Sequence, residues 1–166
     1  PLAMDYYGAL YPSLSLMLAA RSLNLDVGDI HAQPGSVQLG KTRITTDPSL
    51  RMQTYFYPDS QGRPAFPVDS FYDVLSGKIP ASKYRDKVVL IGASAAGVGT
   101  LQVTPVSSSM PSVVTLAHTV SSILQGHFFV SPSWAGLAQL GIFGLVALYL
   151  ILLLPRLRAA HGALVT

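Results

Sequence analysis

A run of twenty-one residues without a charge, Trp134 to Leu154, constrains this chain more than any other feature. At about 1.5 Å per residue, a helix of that length reaches roughly 30 Å, the hydrocarbon thickness of a bilayer. Only Gln139 and Tyr149 interrupt the apolar run, whereas buried helices of globular cores are shorter and more mixed. Trp134 at its outer edge suits the headgroup zone. Arg156 and Arg158 follow at once, and basic residues beside a span stay on the side of synthesis. The pattern predicts a transmembrane helix over 134–154 in the inner (cytoplasmic) membrane. A cytoplasmic turn follows over 155–166, where the sequence from Ala159 reads as the opening of a second apolar segment. Residues 1–133 are then expected outside the cytoplasm. A folded region outside, connected inward, is the layout of a receptor.

Charged residues make up 11% of the chain, less than half the roughly 25% of an average soluble domain. The net charge of +3 does not read as nucleic-acid binding. Arg21, Lys41, Arg43, Lys83, Arg85 and Lys87 are scattered among acids instead of forming a stripe. There is no cysteine, so thiolate chemistry, disulfides and cysteine metal sites are excluded. No His or carboxylate cluster has metal-ligand spacing, and no cofactor is expected. The chain begins at Pro1 with no basic and apolar signal segment and is expected to be a piece of a longer protein.

Helical and strand patterns alternate, which predicts an α/β domain with flanking helices. A first helix is expected from Pro12 to near Asp26-Val27-Gly28-Asp29, with Leu14, Met17, Leu18 and Arg21 on one face and Leu16, Ala20 and Leu23 beside it. Gly40-Lys41 reads as a two-residue hairpin turn within 37–45, and Arg51 to Tyr57 alternates as a strand. Pro58 to Pro64 is a loop on composition. Ser70 and Asp73 suggest a capped short helix that stops at Gly77. Val88-Val89-Leu90-Ile91, ending in Gly92, reads as a central strand covered on both faces. A last helix runs from Pro111 to Gln125 and stops at Gly126. Val113, Leu116, Ala117, Val120 and Leu124 form its buried stripe, with His118, Ser121, Ser122 and Gln125 on the other side. Phe128 to Val130 adds a final short strand.

Gly92-Ala93-Ser94-Ala95-Ala96-Gly97 follows the expected central strand, where open α/β sheets place ligands. Gly92, Ser94 and Gly97 are therefore the candidate loop site. Val98 and Gly99 stand where a P-loop needs Lys and Ser/Thr, and Gln102 stands where a dinucleotide fingerprint needs glycine. A serine nucleophile elbow fails at Ala96, although His31, His118 and His127 are available as bases with Asp47, Asp69 or Asp73 as orienting acids. The simpler reading is a tight strand-to-helix loop with no catalytic residue. The three histidines read as surface or loop residues, with His118 able to titrate if it lies at an interface. Tyr6, Tyr7, Tyr11, Tyr55, Tyr57, Tyr72 and Phe71 read as core or dimer-contact aromatics.

From Tyr11 onward the chain resembles the CHASE sensors of the second type, extracellular sensory domains associated with cyclases and histidine kinases. The matching pieces are the YPSLSLMLA helix, Tyr55-Phe56-Tyr57, FPVDSFYDVLSGKIP, YRDKVVLIGASAAGVG, Thr104-Pro105, and the helix ending Ile123-Leu124-Gln125-Gly126. The resemblance covers nearly all of 1–133, and its motifs imply the later portion of a family sensor, with Thr104 and Pro105 added to the candidate site. It implies a sensor outside the cytoplasm followed by a membrane bundle. Thr100, Ser112 and Leu116 stand where the family usually has an acid, a glycine and a histidine, so chemistry that depends on those groups is not implied here. The resulting expectation is a non-catalytic input domain, working as a homodimer. It would relay a small-molecule or protein stimulus through the bilayer to a kinase, nucleotide cyclase or cyclic-dinucleotide enzyme. The alternatives are a module that only supports membrane-protein assembly, or a membrane-anchored serine hydrolase.

Overall fold

A computed structural model describes residues 1–95, 97–129 and 134–153. The expected strand end at Val130, the Ser131-Pro132-Ser133 linker, the basic turn and the second apolar segment lie outside the described residues, as does Ala96 of the candidate loop. The chain divides into two units, Pro1–Val130 and Ser131–Thr166.

The first unit opens with an antiparallel hairpin of β1 (Ala3–Tyr6) and β2 (Ala9–Pro12). Its turn, Tyr7-Gly8, has positive φ at both residues, the geometry that matches strand twist. Helix α1 spans Leu14–Ser22, and its N-cap is Ser13, whose Oγ accepts from the Leu16 N–H at 3.3 Å. The hydroxyl satisfies one of the helix's free donors, so the helix starts after Pro12, which belongs to β2. Its buried face is Ser15, Leu16, Ala19 and Ala20, which takes in Leu16 and Ala20 from beside the expected face, while Leu14 of that face is 63% exposed. Two small alanines at this spacing permit the close approach of another helix, and α1 packs against α3 (Ser112–Gln125).

After a short 3-10 turn come β3 (Ile30–Gln33), β4 (Ser36–Leu39) and β5 (Thr42–Thr45), an antiparallel meander. The expected Gly40-Lys41 turn joins the last two strands. Glycine suits the turn, because φ is +55° and a Cβ would stand 2.7 Å from Leu25 Cδ1, so that a larger residue would be strained and would have to push the leucine aside. Strand β3 extends the expected 37–45 hairpin by one further strand. The core gathers Leu2, Leu16, Ala19, Ala20, Ile30, Val37, Leu39, Ile44 and Ile123, with Met52, Leu124 and Phe128 packed against it. It therefore joins the meander, α1 and the C-terminal end of α3.

Strand β6 is only Gln53–Thr54 and pairs antiparallel with β9 (Phe128–Phe129). Helix α2 covers Phe71–Leu75 and ends where Gly77 turns at φ +75°. The expected Ser70 cap is not made, and Asp73 instead takes a bond from Lys78 Nζ at 3.3 Å. Asp69 holds this region to the next turn: it accepts from Lys83 Nζ at 2.8 Å and from the Tyr84 hydroxyl at 2.7 Å. Those donors hold its carboxyl below the usual range.

The expected central strand is corrected. Residues 88–92 belong to no strand and have no ladder partner among the described residues, and Ile91 is 75% exposed. A branched apolar run reports a preference for pleated, buried surroundings, but a strand also needs a neighbour for its N–H and C=O groups. Strands β7 (Leu101–Thr104) and β8 (Ser107–Pro111) form a hairpin of their own. Mixed helices and strands, partial sheets and flanking helices agree with the expected class, although the sheets are small and antiparallel. Tyr6, Tyr7, Tyr11, Tyr72 and Phe71 are exposed and stand outside the core.

In the second unit, α4 (Ala135–Leu148) continues into a π turn over Tyr149–Leu153. The stretch Ala135–Leu152 is long and apolar enough to cross a membrane, and none of it is buried within the protein.

Candidate functional site

Thr115, His118, Thr119 and Ser122 stand three and four residues apart, so they share one face of α3. That face meets the chain leaving β6. Thr54 Oγ1 and Thr119 Oγ1 share a hydrogen bond at 3.3 Å. The Tyr55 N–H donates to Ser122 Oγ at 2.8 Å, and the Tyr57 N–H donates to His118 Nδ1 at 3.2 Å. In extended backbone, N–H groups two residues apart point the same way. Past the two ladder residues of β6, the side chains of α3 thus take the place of a neighbouring strand. Ser122 is fully buried; its Oγ lies 2.7 Å from the His127 carbonyl oxygen, to which its single proton is best donated, and 3.2 Å from that of Tyr55.

His118 is 2% exposed. Its ring is stacked on Tyr57, with centroids 5.9 Å apart and planes at 11°, while Phe66 meets it edge-on at 4.8 Å and Phe56 lies at 5.2 Å. Because Nδ1 accepts from a backbone N–H, the bond assigns the neutral tautomer with its proton on Nε2. Burial among aromatic rings disfavours the imidazolium and lowers its pKa below the ordinary value; the opposing attraction of Asp59 is smaller. The Tyr57 hydroxyl shares a bond with His127 Nδ1 at 3.2 Å, so one tyrosine ties both histidines together. Tyr55, Tyr57, His127 and Phe129 also line an open cleft of about 480 Å³.

The apolar stripe of α3 predicts His118 and Ser122 on its solvent side, and the structure buries both. The signal was present. Thr115, His118, Thr119 and Ser122 form a polar stripe at helical spacing, as regular as the apolar one, and such a stripe suits a face that grips backbone. Thr115 Oγ1 is buried without a partner among the described residues.

The residues singled out from sequence lie elsewhere. Gly92 passes so close to α3 that a Cβ would stand 2.7 Å from Val113 Cβ, which explains the glycine by packing. Ser94 is exposed, and Gly97 is exposed with φ +81°. Thr104 Oγ1 donates to the Ser107 carbonyl and accepts from its N–H, both at 3.1 Å, closing the turn at Pro105-Val106. At the base of the same hairpin, the Ser112 N–H donates to the Thr100 carbonyl at 3.2 Å. Gly92 beside Val113 and the Thr104-Pro105 turn therefore occupy opposite ends of the β7–β8 hairpin. For a serine nucleophile, Ser94 would need an imidazole, but His118 and His127 make their ring bonds with Tyr57. Among the described residues, no group of three or more His, Asp or Glu side chains is placed to hold a metal ion.

Comparison with known proteins gives one match. The family described as CHASE2 domain matches residues 1–154. No curated protein and no solved structure matches the chain.

Proposed function

The chain belongs to the CHASE2 domain family, the extracytoplasmic sensory domains of signalling receptors, and on that premise we propose that it is the sensory input region of a bacterial receptor. The observation that carries the reading is the family match over 1–154, which runs into an apolar helix of spanning length. Residues 1–133 form the sensor in the periplasm or outside the cell, and 134–154 anchor it in the inner membrane. The stimulus is a small molecule or a protein, the receptor is a homodimer, and the output is a kinase, a nucleotide cyclase or a cyclic-dinucleotide enzyme. The sensor has no catalytic role of its own. The exposed rings of Tyr6, Tyr7 and Tyr11 are a surface that such a dimer would cover.

The mechanism is a population shift, in which a stimulus that favours one sensor arrangement biases the position of the membrane helix. Coupling follows the chain: the polar stripe of α3 fixes Tyr55 and Tyr57, β6 pairs with β9, and after Val130 the Ser131-Pro132-Ser133 linker leads to Trp134. Three residues absorb little motion. Inserting a flexible Gly/Ser segment at Pro132 of the full receptor is expected to abolish stimulus-dependent output without changing the receptor's amount in the membrane. Output that remains fully regulated would contradict coupling through this linker.

A further inference from the structure

We propose that the contact between Tyr57 and His118 is a proton-released latch, which holds the segment after β6 on α3 when the imidazole is neutral and frees it when the imidazole is protonated. His118 Nδ1 is the only partner that the Tyr57 N–H has among the described residues. Protonation places an N–H on Nδ1, so acceptor becomes donor and two donors face each other across 3.2 Å. It also places a charge on a ring that is 2% exposed and enclosed by Phe56, Tyr57 and Phe66. Outward movement of the segment relieves both conditions, because it gives the imidazolium water and the Tyr57 N–H a new partner.

Among the described residues, the ionisable groups that face the ring or its partner are Tyr57, His127 and Asp59. Tyr57 is stacked on it from the segment itself, His127 lies beyond Tyr57 in the turn after α3, and Asp59 acts on it from the following loop. Asp59 favours the charged ring but is outweighed by burial. His127 bonds the Tyr57 hydroxyl, so it anchors the tyrosine ring rather than the backbone bond that protonation breaks. The neighbouring bond at Tyr55 goes to Ser122, which does not titrate, so opening is confined to the distal part of the segment.

The sign follows from burial. The folded-state pKa of His118 lies below that of the unfolded chain, so the unfolded or opened form binds the proton better. The latch is complete above about pH 6.5, the ordinary histidine value, and weakens as pH falls toward and through the folded pKa. The latch stands on the Tyr57–His118 contact and goes beyond the sensory reading above without depending on it.

The test is amide hydrogen exchange of the full chain in lipid nanodiscs, from about pH 8 to about pH 4.5, with each rate corrected for its intrinsic pH dependence. Protection of the Tyr57 amide is expected to fall about tenfold or more on acidification, while the Tyr55 amide keeps its protection. In His118→Asn, whose amide oxygen stands near the position of Nδ1 and does not titrate, protection at Tyr57 is expected to be independent of pH. Asp59→Asn retains the histidine and is expected to move the wild-type transition to lower pH, which gives a second readout if the asparagine variant does not fold. PH-independent protection at Tyr57 in the wild type, simultaneous loss at Tyr55 and Tyr57, or an unmoved transition in Asp59→Asn would each overturn the latch. None of these readouts involves signalling, so a failed latch leaves the sensory reading intact, and a regulated receptor with an inserted linker leaves the latch intact.

Discussion

Leu16→Ala is expected to lower the unfolding free energy by about 2–5 kcal/mol, while Leu14→Ala, two residues earlier, changes it by no more than about 0.5 kcal/mol. Leu16 has no exposed surface and belongs to the cluster that joins α1, the meander and Ile123 of α3. Truncation removes its transfer energy and leaves a cavity between elements that cannot all collapse onto it. Leu14 is 63% exposed and has little to lose. Domains of this size have stabilities of only about 5–15 kcal/mol, so the first loss is a large fraction of the whole. Urea denaturation followed by circular dichroism measures both variants. Equal effects would place the buried face of α1 on the wrong side.

Ser122→Ala is the second large effect, expected at about 2–3 kcal/mol. The hydroxyl is the acceptor of the Tyr55 N–H and the donor toward the His127 and Tyr55 carbonyls, all in a fully buried position. Alanine leaves the donor at Tyr55 unmet, and a buried unmet group costs more than a typical bond contributes. The loss should be local first: Tyr55 amide exchange accelerates, and the β6–β9 pairing next to it frays. A stability change below about 0.5 kcal/mol, the size of an ordinary surface substitution, would show that Ser122 does not hold the segment.

What could be read from the sequence depended on how local each signal was. The Gly40-Lys41 turn, the stops at Gly77 and Gly126 and the limits of α3 follow from backbone rules acting over a few residues, and the structure has them. The apolar helix was legible from length and composition alone. The buried face of α1 was not. Leucine and alanine positions there overlap on a helical wheel, and only the partner helix decides that Leu16, Ala19 and Ala20 turn inward. The Val88–Ile91 run shows the converse, since its composition asks for burial that no neighbour among the described residues supplies.

The site was the least legible part. A glycine-rich loop after an apparent strand attracts attention because ligands gather at such places in open sheets, but Gly92 is explained by its approach to Val113. His118 and Ser122 looked like solvent-side polar residues. Their role depends on Tyr55 and Tyr57, more than sixty positions earlier, whose N–H groups require acceptors from α3. No short-range pattern carries that information. The demand that every buried backbone donor find a partner does carry it, once the two segments are known to meet.

The central claim is that the folded unit and the basic residues after the apolar helix stand on opposite sides of a membrane. The chain has no cysteine, so one introduced thiol is a clean reporter. Ser60→Cys puts it on the exposed 58–64 loop, and Ala159→Cys puts it just beyond Arg156 and Arg158. With a membrane-impermeant maleimide on intact cells whose outer barrier is opened, the position-60 thiol is predicted to react at once. The position-159 thiol should react only after the inner membrane is lysed. The reverse pattern, with position 60 protected until lysis, would contradict the account.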